Sequence, residues 1–173
     1  MSRFTAVAIA LLAALGSATA AETPAATGAE GPASALVVTF VHPEAYTDAS
    51  PSASYGADPR VLDAIRAHLQ KLASRELPAG YSLDVRVLDV DLAGYVDWHY
   101  RSGDIRVIRD ATWPRMTLSY VLRHGDDVVA RAEKQHVNNM NFQSGVSLYA
   151  SNDPLRYEKA MLDDWFEKVV SRR

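Results

Sequence analysis

The segment Gly94-Tyr95-Val96-Asp97-Trp98-His99-Tyr100-Arg101 crowds three aromatic rings, an imidazole, a carboxylate and a guanidinium into eight residues. Such a set suits a platform for a small molecule or glycan. The rings of Tyr95, Trp98 and Tyr100 would stack, while Asp97 and Arg101 orient polar groups. It equally suits a lid, because aromatic side chains that leave a strand usually pack back onto it. Both readings stay open on residue types alone. A hydrolase-like enzyme would use His99 and the carboxylates Asp97, Asp89 and Asp91 as acid and base. Asp89 and Asp91 are two apart and so share a strand face. As near neighbours they either divide an acid–base task or form a solvated face.

Asp97 and His99 are also metal-ligand types, but His68, beside a helical stripe, and His124, in a turn, supply no matching spacing. No metal and no cofactor are therefore expected. A second charged cluster, Arg106, Arg109, Asp110 and Arg115, surrounds Trp113-Pro114. Arginine offers a planar fork to carboxylates and phosphates, so Arg109, Asp110 and Arg115 are candidates for anion or partner contact. The alternative is an internal tie, Arg109 to Asp110 or Arg115 to a carboxylate, that fixes the turn. The sequence carries no nucleophile elbow, phosphate loop, dinucleotide fingerprint or zinc-protease helix. That disfavours the common hydrolases and nucleotide enzymes.

These side chains need elements to hold them. Ala35 to Val41 is a continuous apolar run, expected as a strand covered on both faces. The polar connection from His42 to Ala57 is long, as functional loops are. Asp58 and Pro59 form a cap and first-turn pair. Val61, Leu62, Ile65, Leu69 and Leu72 then recur at helical spacing, predicting a helix from about Pro59 to Glu76. Tyr81, Leu83, Val85 and Val87 alternate with polar residues, after which the apolar set slips to Leu88, Val90 and Leu92. A β-bulge near Val87-Leu88 would keep both sets on one face.

The strand–helix–strand order predicts a parallel pair with a right-handed crossover. Ala93 to Asp104 reads as a loop, and Ile105 to Val107 as a short extended piece. Residues 115–137 form a hairpin turning at His124-Gly125-Asp126-Asp127. Asn138 to Asn152 is irregular. Asp153-Pro154 repeats the cap-plus-proline signal before the stripe Leu155, Leu162, Trp165, Phe166 and Val169. The fold class is thus α/β (α+β): a βαβ unit, an antiparallel β-hairpin and a C-terminal helix, with helices packed on a mixed sheet.

The chain opens with Arg3 and an apolar run from Phe4 to Leu15, closed by Ala18-Thr19-Ala20. This run is shorter than the roughly 20 residues a spanning helix needs, and it matches a secretory leader cleaved after Ala20. Residues 21–34 lack large apolar side chains and read as a flexible tether. Residues 35–173 are then expected to form a single domain. The absence of cysteine excludes lipidation of a cysteine, disulfides and thiolate metal sites. The formal charge of −3 has no concentrated basic field, which argues against a nucleic-acid partner.

Six strings in order carry a resemblance: VTFVHPEAYTDA (Val38 to Ala49), LPAG (Leu77 to Gly80), DVDLAG (Asp89 to Gly94), RVIRD (Arg106 to Asp110), WPRMTLSY (Trp113 to Tyr120) and YEKAMLDDWF (Tyr157 to Phe166). Together they resemble a family of short exported proteobacterial proteins, domain of unknown function 3016. The resemblance implies a Gram-negative envelope setting and supplies no reaction, cofactor or ligand. The expected function is a periplasmic, or else secreted, binding or assembly factor with a periplasmic or outer-membrane protein partner. It would have no membrane anchor after leader cleavage. The alternatives are the hydrolase-like enzyme and the small-molecule or glycan binder through residues 94–101. Fractionation should recover a protein whose N-terminal sequence begins at Ala21 in the periplasm; an intact Met1, or retention on membranes after a salt wash, would refute the leader.

Overall fold

A period-two apolar pattern interrupted by one extra residue sets the centre of the sheet. The computed structural model describes residues 35–52, 56–97, 99, 105–144 and 148–171. The expected leader and tether, residues 1–34, lie outside the described residues, as do Trp98, Tyr100 and Arg101. Strand β2 (Tyr81–Asp91) buries Leu83, Val85 and Val87, and beyond the slip it buries Val90. Its pairing with β5 (Arg115–His124) shifts register between Val87 and Asp89, which leaves Leu88 as the extra residue. The bulge keeps both apolar sets on one face, as the sequence predicts.

Strand β1 (Ala35–Phe40) pairs with β2 in parallel, and β6 (Asp127–Asn138) returns antiparallel to β5. The sheet order is β1-β2-β5-β6. A further pair, β3 (Tyr95–Asp97) and β4 (Ile105–Val107), forms a small separate hairpin. Two expectations change here. β1 is an edge strand, not one covered on both faces: Val37 is 56% exposed. Apolarity on both faces of a strand does not by itself fix its place in a sheet. The stretch expected as a loop from Ala93 to Asp104 opens with β3, because Tyr95, Val96 and Asp97 find partners in Val107, Arg106 and Ile105.

Helix α1 (Pro59–Glu76) has the predicted bounds, with Asp58 as N-cap accepting from the Arg60 amide at 2.8 Å. Helix α2 (Arg156–Val170) starts two residues later than a Pro154 start would give. Asp153 does not cap it directly; its side chain accepts from Leu155 N at 2.9 Å and forms a turn ahead of the helix. Ile65, Leu69 and Leu72 of α1 and Leu162, Trp165, Phe166 and Val169 of α2 join one core with Leu83, Val85, Leu118, Tyr120 and Leu122 of the sheet. Trp165 meets the Tyr120 ring edge-on at 5.8 Å, and its indole N–H donates to Gln135 Oε1. The opposite sheet face carries polar residues such as Asp84, Arg86 and Arg131, and no helix covers it among the described residues. Among the same residues, no helix is long and apolar enough to cross a membrane.

Leu69 is fully buried and Trp165 nearly so. Leu69→Ala and Trp165→Ala should each lower unfolding free energy by about 2–5 kcal/mol, read from denaturant midpoints, because each leaves a cavity that packing cannot refill.

Candidate functional site

The long connection between β1 and α1 does not leave the sheet freely. Tyr46 is buried, and its hydroxyl donates to Val87 O at 2.8 Å and accepts from Val41 N. Burial pushes the Tyr46 phenol up to about 12. Further along, Asp48 N donates to Val90 O, and Leu92 N donates to Asp48 O. The connection therefore runs alongside the end of β2 before turning into α1.

A cavity of about 440 Å³ opens beyond the end of β2. Its apolar lining comes from Pro51, Val61, Ala64, Leu92, Ile108 and Leu155. Its polar lining includes Asp58 and Arg60 at the start of α1, Arg106 on β4, and Asp153 and Arg156 at the start of α2. Both helix N-termini and the carboxyl end of a parallel strand thus meet at one place. Helix N-termini there favour negative charge.

Arg106 is fixed in the wall. Its Nη1 donates to Ala93 O at 3.1 Å, and its Nη2 donates to Asp48 Oδ1 at 2.9 Å and Ser50 O at 2.5 Å. Its Nε is buried without a partner. The other half of the Ala93 peptide environment is held by Glu158, whose Oε1 accepts from Ala93 N at 2.7 Å. Glu158 is buried in the first turn of α2, and its Oε2 has no partner. Burial raises its carboxyl above the ordinary range, overriding the Ala93 N–H and the nearby Arg106 charge, both of which favour ionisation.

Gly94 follows at φ 87°, where a Cβ would stand 2.6 Å from Val107 O. Only glycine lets β3 start this close to β4.

The residues singled out by the sequence do not converge in this cavity. Tyr95 is half-buried beneath Arg109, whose guanidinium lies 5.2 Å from the ring centre. Asp97 accepts from the His99 amide at 3.0 Å and faces His99 Nδ1 at 3.0 Å. These two contacts hold its carboxyl below the usual range. His99 and Asp110 are exposed, Asp110 in the turn where Thr112 Oγ1 donates to Arg109 O. Arg115 pairs with Asp91 and lies over the Trp113 ring, so the internal tie to a carboxylate is the one formed. Asp89 is taken by Thr47, whose amide and hydroxyl donate to its two oxygens. Among the described residues, no three His, Asp or Glu side chains gather as a metal ion would need.

Sequence reasoning missed Glu158 and the role of Arg106. It also missed a polar lock between the helices: His68 Nε2 lies 2.9 Å from Asp163 Oδ1, and the Tyr149 hydroxyl donates to Asp163 Oδ2 at 2.5 Å. Burial lowers the His68 imidazole despite the facing carboxylate. The readable signal for Glu158 was an acid in the first helical turn, which by itself says only that it suits the helix dipole.

The elements and cavity define a four-stranded mixed sheet with two helices on one face and a side-chain-lined pocket at the helix starts. Residues 34–168 match the family described as protein of unknown function (DUF3016), and the chain belongs to that family. It is also similar to a solved structure, the hypothetical protein CT253 of Chlamydia trachomatis, at 11% identity. That likeness covers 82% of this chain and 94% of the other, with a TM-score of 0.32. No curated protein matches the sequence.

Because the folded-state pKa of Glu158 is raised, its contribution to stability is full at acid pH. That contribution is lost as pH rises from the ordinary glutamate range through the folded-state value. Glu158→Gln should therefore gain in Tm relative to the wild type as pH rises above the ordinary glutamate range. A constant difference across that rise would show that Glu158 does not change its protonation on folding.

Proposed function

We propose that the protein is exported to the periplasm as one domain behind a cleaved leader, and that it serves there as a binding protein for a small, largely apolar molecule. The observation that carries this reading is the cavity of about 440 Å³ at the two helix starts, apolar in most of its lining and bounded by fixed polar groups. Pockets of this size and character are the usual form of small-molecule sites. Export is supported by the leader-like residues 1–20 and the envelope setting of the family resemblance. The Asp97–His99 pair offers weaker support for the hydrolase alternative, since Asp97 is committed to the His99 turn.

A protein partner on the sheet edge is the second reading. It is favoured by Val37, 56% exposed on an uncharged edge strand. Native mass spectrometry of protein taken gently from the periplasm separates the two. The cavity reading expects a low-mass adduct, or a rise in Tm on adding small-molecule envelope extract, with both lost in Ala64→Trp. Ile108→Trp serves as a second filled cavity should the first variant fail to fold. Absence of both adduct and Tm rise overturns the cavity reading, and a protein adduct in its place moves the function to the edge.

A further inference from the structure

We infer that β1 pairs with β1 of a second copy of this chain, antiparallel about a twofold axis at Val38, so that two sheets join into one. This names the occupant for the edge reading and rests on that reading alone, since no residue of β1 lines the cavity.

The register of β1 on β2 decides which backbone groups are left over. Phe40 lies opposite Val87, and the Val41 amide donates to the Val87 carbonyl. Along a strand, successive residues turn their N–H and C=O to opposite sides. Val37, Thr39 and Val41 therefore direct theirs to β2, and Leu36, Val38 and Phe40 turn theirs outward. Among the described residues no strand meets them there. An antiparallel pair centred on Val38 satisfies the whole set. Val38 exchanges both bonds with Val38 of the second copy, and Leu36 exchanges both with its Phe40.

Side chains and charge fit the same axis. Leu36, Val38 and Phe40 are half-buried and packed against the core. Their counterparts would extend that apolar face across the axis, as cross-strand pairs do. On the open face Val37, 56% exposed, meets Thr39 of the second copy. β1 has no charge with which to repel itself. On β2, Asp84 stands beside Val37 and Arg86 beside Thr39. Each row across the axis therefore runs from Asp84 of one copy to Arg86 of the other, so the charges complement.

An open edge of this kind accepts strands in general. Closure is what singles out a second copy. The other edge, β6, has two register shifts and carries Arg131, Glu133 and Lys134. Pairing β1 with β6 of the next copy would build an open filament on a protected edge. Pairing β1 with itself is isologous: it covers both open edges at once and leaves only β6 outside.

Sedimentation and residue-resolved amide exchange of the full mature chain test this over about 10 μM to about 1 mM, because a strand pair is at the small end of interface sizes. Dimer should grow with concentration, and the amides of Leu36, Val38 and Phe40 should gain protection with it. The Val41 amide, bonded to β2, should stay protected throughout. Val37→Lys adds a charge at an exposed site and should weaken the dimer at least about tenfold. Val129→Lys, beside a register shift of β6, should leave it unchanged. Val38→Pro removes an outward N–H and no bond to β2, and should abolish pairing. If it fails to fold, Val37→Lys decides. A monomer with the three amides open at every concentration overturns the inference. The edge reading then survives only if native mass spectrometry shows a different protein bound, and lost in Val37→Lys. The same amides protected in a monomer would give the edge to this chain's own residues 21–34, and overturn the second copy. A dimer weakened by Val129→Lys, or untouched by Val37→Lys, would place the contact elsewhere and overturn it too.

Discussion

The peptide of one residue, Ala93, is where the separate parts of this molecule are tied together. Its carbonyl accepts from Arg106 on β4, and its amide donates to Glu158 in the first turn of α2. The same guanidinium reaches back to Asp48 and Ser50 in the connection before α1. Four segments that are distant in sequence thus share one hydrogen-bonded cluster at the end of β2. The hydrophobic core fixes the helices against the sheet, but burial is not directional and would tolerate sliding. Directional bonds at Ala93 and Arg106 fix the start of α2 and the connection that leads into α1.

How much of this could be read from the sequence follows from the range of each interaction. The bounds of α1, the bulge at Leu88 and the turn of the β5–β6 hairpin depend on neighbours within a few residues, and all three were legible. The edge position of β1 was not, because its run ALVVTF is apolar on both faces whether or not a second neighbour exists. The β3–β4 hairpin was hidden for a different reason: its strands are three residues each, too short for a period to show. At the site the separation is larger. Glu158 and Ala93 are 65 residues apart, and Arg106 and Asp48 are 58 apart. No local pattern marks either pair. The aromatic crowding at residues 94–101 stands out by composition, while Glu158 and Arg106 sit in ordinary-looking surroundings.

The two edges of the sheet are treated unequally. β6 departs from regular pairing twice, near Leu118/Tyr120 and Leu122/Arg123, and carries Arg131, Glu133 and Lys134. Bulges and charges of this kind stop an edge from recruiting another strand. β1 has no register shift against β2 and no charged residue. Protection on one side alone means that any strand-like association is directed to β1, away from the cavity wall built by β4 and the start of α2.

The arginines of the cavity wall are held unequally as well. Arg60 is folded onto Asp58, and Arg156 onto Tyr157 and the Ser151 carbonyl. Arg60 is 86% exposed, where solvent screens its charge. Arg106 differs because its side chain is mostly shielded and its guanidinium is bonded to Asp48, Ser50 and Ala93. A flexible surface arginine loses side-chain entropy when it grips a ligand. Arg106 has already lost that freedom in folding, through the bonds to Asp48, Ser50 and Ala93. The cluster that positions the start of α2 therefore also holds Arg106 in the cavity wall, so the folding of the connection and the shaping of the cavity are a single event.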